Sequence, residues 1–492
     1  MKNVFLFLAL IVYAATAYSQ SADVQRINQI ITPDSALNPL HFLASDDLKG
    51  RSPKRPEIDI AANYISNYFQ KAGVKEPDSS KDYFQLFELS FASTATSGSL
   101  KIKDSTYTIP NNLIQIGGQD VSIEAPIVFA GHGSAADLEN IDIRGKIVIS
   151  YIGSGDSSST EDAIDHIPVK QSALFAKGAV AMIEIFNKKD VPWEVLKRYF
   201  GRQQVVSRKD SIPVLLLHTS DSTLPAALAT AQQTSLITNG NKIKTVVARN
   251  VIGRIEGSDA RLKEQHLVLS AHYDHIGVTE QPKNQDGKTD SIYNGARDNA
   301  IGVTAVLNAA RYFAKYPSKR SMLFVLYTAE EMGLIGSRYF SNNPVIPLNK
   351  LVYNLNIDNA GYNDTTGITV IGLERTSSDD DIRKACAAYG LKVLGDPAPE
   401  ANLFERSDNL SLAIKGIPAP TFSLGVSAMD SVIMKHYHQL SDESSTMNPR
   451  YALKYIRSYV LAAKLIANNP KQPVWKKDDK YEGAWKDLFD SE

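Results

Sequence analysis

The chain of 492 residues contains a single cysteine, Cys386. It can close no internal disulfide, so the fold is held by its core or by bound metals, and the thiol reads most simply as a small buried side chain. Basic excess is lacking as well: 53 Lys and Arg face 54 Asp and Glu, a net charge of −1. That balance excludes the phosphate-neutralising surfaces of nucleic-acid partners and the cationic faces that hold to anionic lipid. The apolar run Val4–Ala15 is shorter than the roughly 20 residues of a membrane span, so no membrane insertion is expected in the mature form. The chain also lacks internal repeats and long low-complexity segments.

What is present begins with a leader. MKNVFLFLALIVYAATAYSQ joins one Lys to an apolar stretch and ends in small residues, as a secretory signal does, and cleavage is expected after Ser19. Such a leader implies export to a periplasm or to the medium. At 43% hydrophobic residues, the remainder is long enough for two or three structural units. Residues 20–110 open with helical periodicity in IDIAANYISNYFQKAGV, ended by Gly73. Residues 111–245 read as a separate β-rich unit of short runs such as APIVFAG, GKIVISYIG, AVAMIEIF and IPVLLLH. Residues 246–470 alternate strand and helix: HLVLSAHYD, GVTAVLNAARYFAKY, SMLFVLYTA, LIGSRYF and LVYNLNID. This alternation predicts an α/β class with a mixed, mostly parallel sheet sandwiched by helices. The charged residues 471–492 read as a peripheral tail.

Chemistry concentrates at the predicted strand ends. Asp274 comes after LVLS, Glu330 and Glu331 after MLFVLY, and Asp358 after LVYNLNI. Four of nine histidines lie in AHYDHIG (His272, His275) and MKHYHQLSDE (His436, His438). The carboxyl ends of parallel strands share one edge of such a sheet, so these residues are expected to meet in one cleft. Asp298, in NGARDNAIGVTAVL, belongs with them just before an amphipathic helix. Singly, each residue has a plain explanation: an acid before a helix caps it, and paired glutamates complement its dipole. Their coincidence at successive strand ends is what points to a site. Mixed imidazole and carboxylate donors suit zinc and other transition metals such as manganese or cobalt, rather than calcium or magnesium. Two Zn2+ ions carry four positive charges, which three carboxylates and a bridging hydroxide neutralise, a set met by His272, Asp298, Glu331, Asp358 and His438. Glu330 is then left to move the proton of a water. Spacing alone leaves His275 and His436 open as alternative ligands.

The pieces AHYDHIG, NGARDNAIG, TAEEMGLIGS, NLNIDNAG and YHQLSDE, in this order, resemble the co-catalytic di-zinc aminopeptidases and their glutamate carboxypeptidase relatives. The resemblance implies the zinc exopeptidase fold. It makes His272 and Asp358 terminal ligands of one zinc, Glu331 and His438 terminal ligands of the other, and Asp298 the bridge. Glu330 becomes general base and then acid, Asp274 orients His272 through its second ring nitrogen, and Tyr437 steadies an oxyanion beside zinc. A cis peptide is implied between Asp298 and Asn299. The β-rich insert resembles a protease-associated domain. Arg297 departs from the pattern, in a place where relatives carry a small or acidic residue. The expected function is an exported, zinc-dependent aminopeptidase acting on peptides. The alternatives are a carboxypeptidase or dipeptidase of the same family, which needs a basic pocket from Arg406 or Arg297, an inactive binding scaffold, and a one-zinc acyl transferase.

Overall fold

The computed structural model describes residues 22–490 apart from 79–81, 156–158, 202–203, 207–211, 229–231 and 286–287. The expected leader lies outside the described residues. Two compact units are present, one comprising the chain up to Phe87 together with Ala248 onward, the other Glu88–Val247. The expected boundary at 110/111 is therefore too late. Strands Ser97–Ile102 and Ser105–Ile109 pair with each other, and the first of them pairs with Gln232–Asn239, so hydrogen bonding commits both to the second unit.

The first unit is built on β1 (Phe84–Ala92, of which the residues to Phe87 belong here), β2 (Ile243–Ile255, from Ala248), β3 (His266–His272), β4 (Ser321–Tyr327), β5 (Leu351–Ile357), β6 (Gly367–Ile371), β7 (Lys392–Leu394) and β8 (Thr421–Leu424), in the spatial order β7-β6-β8-β5-β3-β4-β2-β1. The central run β8-β5-β3-β4 is parallel, and β2 joins β4 and β6 joins β8 in antiparallel sense. Every residue of β3, β4 and β5 is buried, as sequences apolar on both faces require in a covered parallel sheet. Alternation divides them: Leu267, Leu269 and Ala271 enter one core with Met322, Phe324 and Leu326, whereas Val268, Leu323 and Val325 enter another.

Helices α1 (Pro33–Leu43), α2 (Glu57–Ala72), α3 (Ile301–Lys315) and α4 (Pro449–Asn468) supply the larger core. Gly73, at φ 80°, ends α2 in the left-handed conformation that glycine reaches without a Cβ penalty. Asn448 caps α4 by accepting from the N–H groups of Arg450 and Tyr451, with Pro449 in the first turn. The expected amphipathic helix after Asp298 is instead covered on nearly all sides: twelve of the fifteen residues of α3 are buried. Among its polar side chains Thr304 and Asn308 are buried, with Thr304 donating to Ala300 O and Asn308 to Thr304 O.

Residues 471–490 are no loose tail. Trp475 and Tyr481 are buried with Ile371, Phe404 and Ala419, the Trp475 indole donates to Gly416 O at 2.9 Å, and Arg375 forks onto Asp479. The scattered aromatics of this charged stretch are what anchor it. No helix among the described residues is long and apolar enough to cross a membrane.

The second unit holds an eight-stranded sheet ordered Ser105–Ile109, Ser97–Ile102, Gln232–Asn239, Ser122–Phe129, Ile147–Tyr151, Ala181–Ile185, Val214–Leu217 and Leu113–Gly117. It has its own apolar clusters on the two faces, and one buried ion pair, Lys170 to Glu184 at 2.7 Å.

Candidate metal centre

Strand register brings the predicted residues together. His272 pairs across the sheet with Tyr327, and Ala271 with Ile357, so the chain leaves β3, β4 and β5 along one edge. His272 closes β3, Asp358 comes directly after β5, and Glu330 and Glu331 stand three and four residues past β4. Asp298 precedes α3 in an irregular turn whose Asp298–Asn299 peptide is cis. His438, at φ 55°, belongs to the loop after the short helix Ser431–Met434.

The five expected donors form two linked halves. His272 Nε2 lies 3.2 Å from Asp298 Oδ1 and 3.3 Å from Asp358 Oδ1. His438 Nε2 lies 3.2 Å from Asp298 Oδ2 and 3.2 Å from Glu331 Oε2. Asp298 thus gives one oxygen to each half. Donors bound 2.0–2.1 Å from one tetrahedral zinc stand roughly 3.3 Å apart, so these separations suit a metal in each half. The nitrogen and oxygen donors are those zinc takes.

Of the two histidines left open by spacing, the structure separates the roles. His436 turns its Nδ1 to Ser441 O at 2.7 Å and stands apart from the cluster. His275 is fully buried, and its Nδ1 meets Glu331 Oε1 at 2.6 Å and Asp298 Oδ2 at 4.0 Å. Its proximity makes His275, Asp298 and Glu331 a possible ligand triad in its own right. The 2.6 Å contact is a hydrogen-bond length, shorter than the edge of a zinc tetrahedron, and it leaves Glu331 Oε2 to face His438. Asp274 departs from its expected role. His272 Nδ1 faces the Asp274 backbone carbonyl at 3.3 Å and stands 3.8 Å from the carboxylate, which instead accepts the Glu330 N–H at 3.1 Å.

Charge explains the titration of the cluster. Burial works to raise Asp298, but hydrogen bonds from His272 and His438 outweigh it and hold this carboxyl far below the usual range. Glu331, also buried and facing Asp298, is nevertheless brought down to about 2 by His275 and His438. Glu330 moves the other way. Burial raises it well above an ordinary glutamate, and Asp358, Asp408 and Glu331 add repulsion that His272 only partly offsets. Burial likewise lifts Asp274 to about 6. His438 is raised to about 10 because its bonds to Asp298 and Glu331 overcome the burial that opposes its charge. Such protonated imidazoles balance the acids where a cation would, so metal binding must displace protons.

Two further residues hold the frame. Arg51 is buried and donates to Tyr273 O at 2.8 Å, Asn294 O at 2.6 Å, Gly295 O at 2.9 Å and Leu43 O, tying together the turns that present His272 and Asp298. Asp442, four residues after His438, accepts the N–H groups of Arg297 at 3.0 Å and Asp298 at 3.1 Å. It also pairs with the Arg297 guanidinium at 2.9 Å, so the unexpected cation at 297 is neutralised beside the site. Its place in YHQLSDE is the one sequence signal that could have found this acid. Asp408 is buried, and burial, with repulsion from Asp358 and Asp274, lifts it to about 7 against the lowering pull of His272 and a hydrogen bond from Ser337.

A cavity of about 160 Å³ opens beside Asp358 and Tyr437. The Tyr437 ring stacks on His438, with centroids 4.0 Å apart, and burial raises its phenol.

Residues 250–462 match Peptidase family M28. Aminopeptidase YwaD of Bacillus subtilis (strain 168) is 25% identical over 292 residues, covering 56% of this chain and 56% of the relative. A vacuolar membrane protease of Saccharomyces cerevisiae (strain YJM789) is 30% identical over 112 residues, which cover 23% of this chain and 10% of that protein. The chain therefore spans about half, or far less, of the length of these curated relatives. Among solved structures, an aminopeptidase from Aneurinibacillus sp. strain AM-1 superposes with a TM-score of 0.54 at 19% identity, covering 93% of this chain and 98% of that one, a likeness of fold.

Proposed function

We propose that this chain, whose residues 250–462 form a Peptidase family M28 domain, is an exported exopeptidase that uses two zinc ions to release N-terminal residues from peptides. The observation that carries the reading is the division of Asp298, one oxygen toward His272 and Asp358 and the other toward His438 and Glu331. The relatives named as aminopeptidases support the reaction class.

Zinc ions held by these five residues would supply polarisation of the scissile carbonyl and activation of the attacking water. Glu330 has the part of proton carrier. Its carboxyl is lifted toward the working range by burial and by neighbouring acids, which suits it to take the proton of the water and hand it to the departing amine. His275 holds Glu331 by the oxygen that turns from His438. Tyr437, on the cavity wall beside Asp358, has the part of donor to a developing oxyanion. Asp274 steadies the turn through the Glu330 N–H. An inactive scaffold would have no cause to retain all five donors and the unpaired task of Glu330 in one cluster. The second unit has the part of a protease-associated domain, and export rests on the N-terminal run of apolar residues.

The test is elemental analysis of the mature protein together with hydrolysis of aminoacyl chromogenic amides, with and without chelator. About two zinc per chain and chelator-sensitive release of N-terminal residues are expected. Glu330→Gln is expected to keep its metal and lose activity by roughly 10²–10⁴-fold, the range for removal of a general base. A protein that binds no metal on reconstitution sinks the reading.

A further inference from the structure

Resting on the hydrolytic centre proposed above, we infer that the cavity beside Asp358 and Tyr437 receives a substrate carboxylate, bound by the Arg406 guanidinium and the hydroxyls of Ser407 and Thr421. All five residues line the same cavity, whose volume of about 160 Å³ accommodates one side chain or one terminal residue.

The argument begins with the arginines. Arg297 is committed: Asp442 and Thr446 take its guanidinium. Arg406, exposed on the cavity wall, makes no ion pair or side-chain hydrogen bond among the described residues. The acid next to it in sequence is diverted, because Glu405 pairs with Lys480 and accepts from Tyr481 at 3.5 Å. The acid on the cavity wall, Asp358, is engaged by His272.

The hydroxyls are set as donors by the core behind them. The Ser270 hydroxyl lies 2.8 Å from Asn356 Oδ1 and 2.9 Å from Asn354 Oδ1, and Asn356 Nδ2 donates to Ser407 Oγ at 3.0 Å and Thr421 Oγ1 at 3.2 Å. Each hydroxyl thus accepts from behind. Neither donates to another described residue, although both side chains are buried, so each proton is available to the cavity. Two fixed O–H donors and a guanidinium form a constellation that only an acceptor satisfies, and an anionic acceptor satisfies best. Ile371, Leu403 and Val426 on the same wall suit an aliphatic stem. The carboxylate arrives either as the side chain of an N-terminal Glu or Asp or as the free C-terminus of a short peptide.

The experiment compares the zinc-loaded full chain on two pairs of substrates. In the first, glutamyl and glutaminyl 4-nitroanilides differ in side-chain charge alone. In the second, an N-acylated dipeptide with a free C-terminus is set against its amide. A carboxylate held by a charged partner is expected to raise kcat/KM about 10- to 100-fold over its neutral twin in one of the pairs. Arg406→Gln is expected to bring that ratio within about threefold of unity, and Arg406→Lys to restore part of it. Preference in the first pair assigns the pocket to an acidic N-terminal residue, and preference in the second to a terminal carboxylate. Hydrolysis of leucyl or alanyl anilide with neither preference overturns the inference and leaves the exopeptidase reading standing. A metal-loaded protein that cleaves no substrate in either pair and no neutral anilide removes that reading and the inference with it.

Discussion

Replacing Asp442 by Asn tests whether the frame around Asp298 is electrostatic. The native carboxylate is 1% exposed and accepts three short bonds at one turn: the Arg297 N–H, the Asp298 N–H and the Arg297 guanidinium. Asparagine keeps the shape but offers one acceptor oxygen, and its NH2 group then faces an N–H donor. One stranded donor costs about 1–3 kcal/mol. The buried Arg297 also loses its counter-charge, and breaking such a pair costs about 3–5 kcal/mol in all. Asp298 is the one residue shared by both halves of the proposed centre, so a displaced turn should weaken zinc binding about 10- to 100-fold. Stability is measured by denaturant dependence of hydrogen exchange in peptides from residues 250–462, because two units need not unfold together. Zinc affinity is measured by competition with a chromophoric chelator. A double-mutant cycle with Arg297→Met isolates the pair, and its coupling is expected to exceed about 1.5 kcal/mol. A coupling below about 0.5 kcal/mol with unchanged zinc affinity would refute the reasoning.

Other perturbations address separate parts of the molecule. Burial lifts Glu184 from 4.5 to about 7 despite Lys170, so between those values the folded state holds the extra proton and stability falls as pH rises, by about 3 kcal/mol in total. Lys170→Met strands this carboxylate, so a loss of about 3–5 kcal/mol is expected at pH 8 and a much smaller one at pH 4.5 in urea titrations; a penalty independent of pH would contradict the pairing. Trp475→Ala should destabilise the first unit by about 3–5 kcal/mol, and Trp475→Phe by less. If thermal scans show Trp475→Ala melting like the parent, residues 471–490 are as peripheral as their composition suggests. Free zinc at a thousand times its Kd should stabilise the chelated protein by about 4 kcal/mol, read as a rise in the melting midpoint that vanishes in the double substitution His272→Ala and His438→Ala.

The sheet and the convergence of its acids were legible because period and position state them locally. A strand apolar on both faces, such as SMLFVLY, is a covered parallel strand, and the residues just beyond its carboxyl end face the cleft. Long-range pairing is not stated locally. Ser97–Ile102 finds its partner at Gln232–Asn239, and nothing near residue 100 announces it, which is why the insert begins at Glu88 rather than 111. Polarity misled at the C-terminus, where Trp475 and Tyr481 outweigh their charged neighbours by burying their rings. Arg51 was not legible as a site residue, since most of its partners are carbonyls on turns more than two hundred residues away. Arg297 reads as an uncompensated charge in the sequence because its partner, Asp442, lies 145 residues further along the chain.

The adjacent glutamates show how one turn makes two chemistries. Beyond β4 the chain passes through Ala329 at φ 58°, a left-handed residue that breaks the strand's alternation before the acids arrive. The Glu330 N–H is then taken by Asp274, which fixes the direction in which the two side chains diverge. Glu331 enters the company of His275 and His438, and two imidazoles hold it ionised against burial. Glu330 is left among Asp358, Asp408 and Glu331, where burial and like charge favour its proton. Neighbours in sequence are thereby pushed apart in acidity, and the proposed division into ligand and proton carrier rests on that separation.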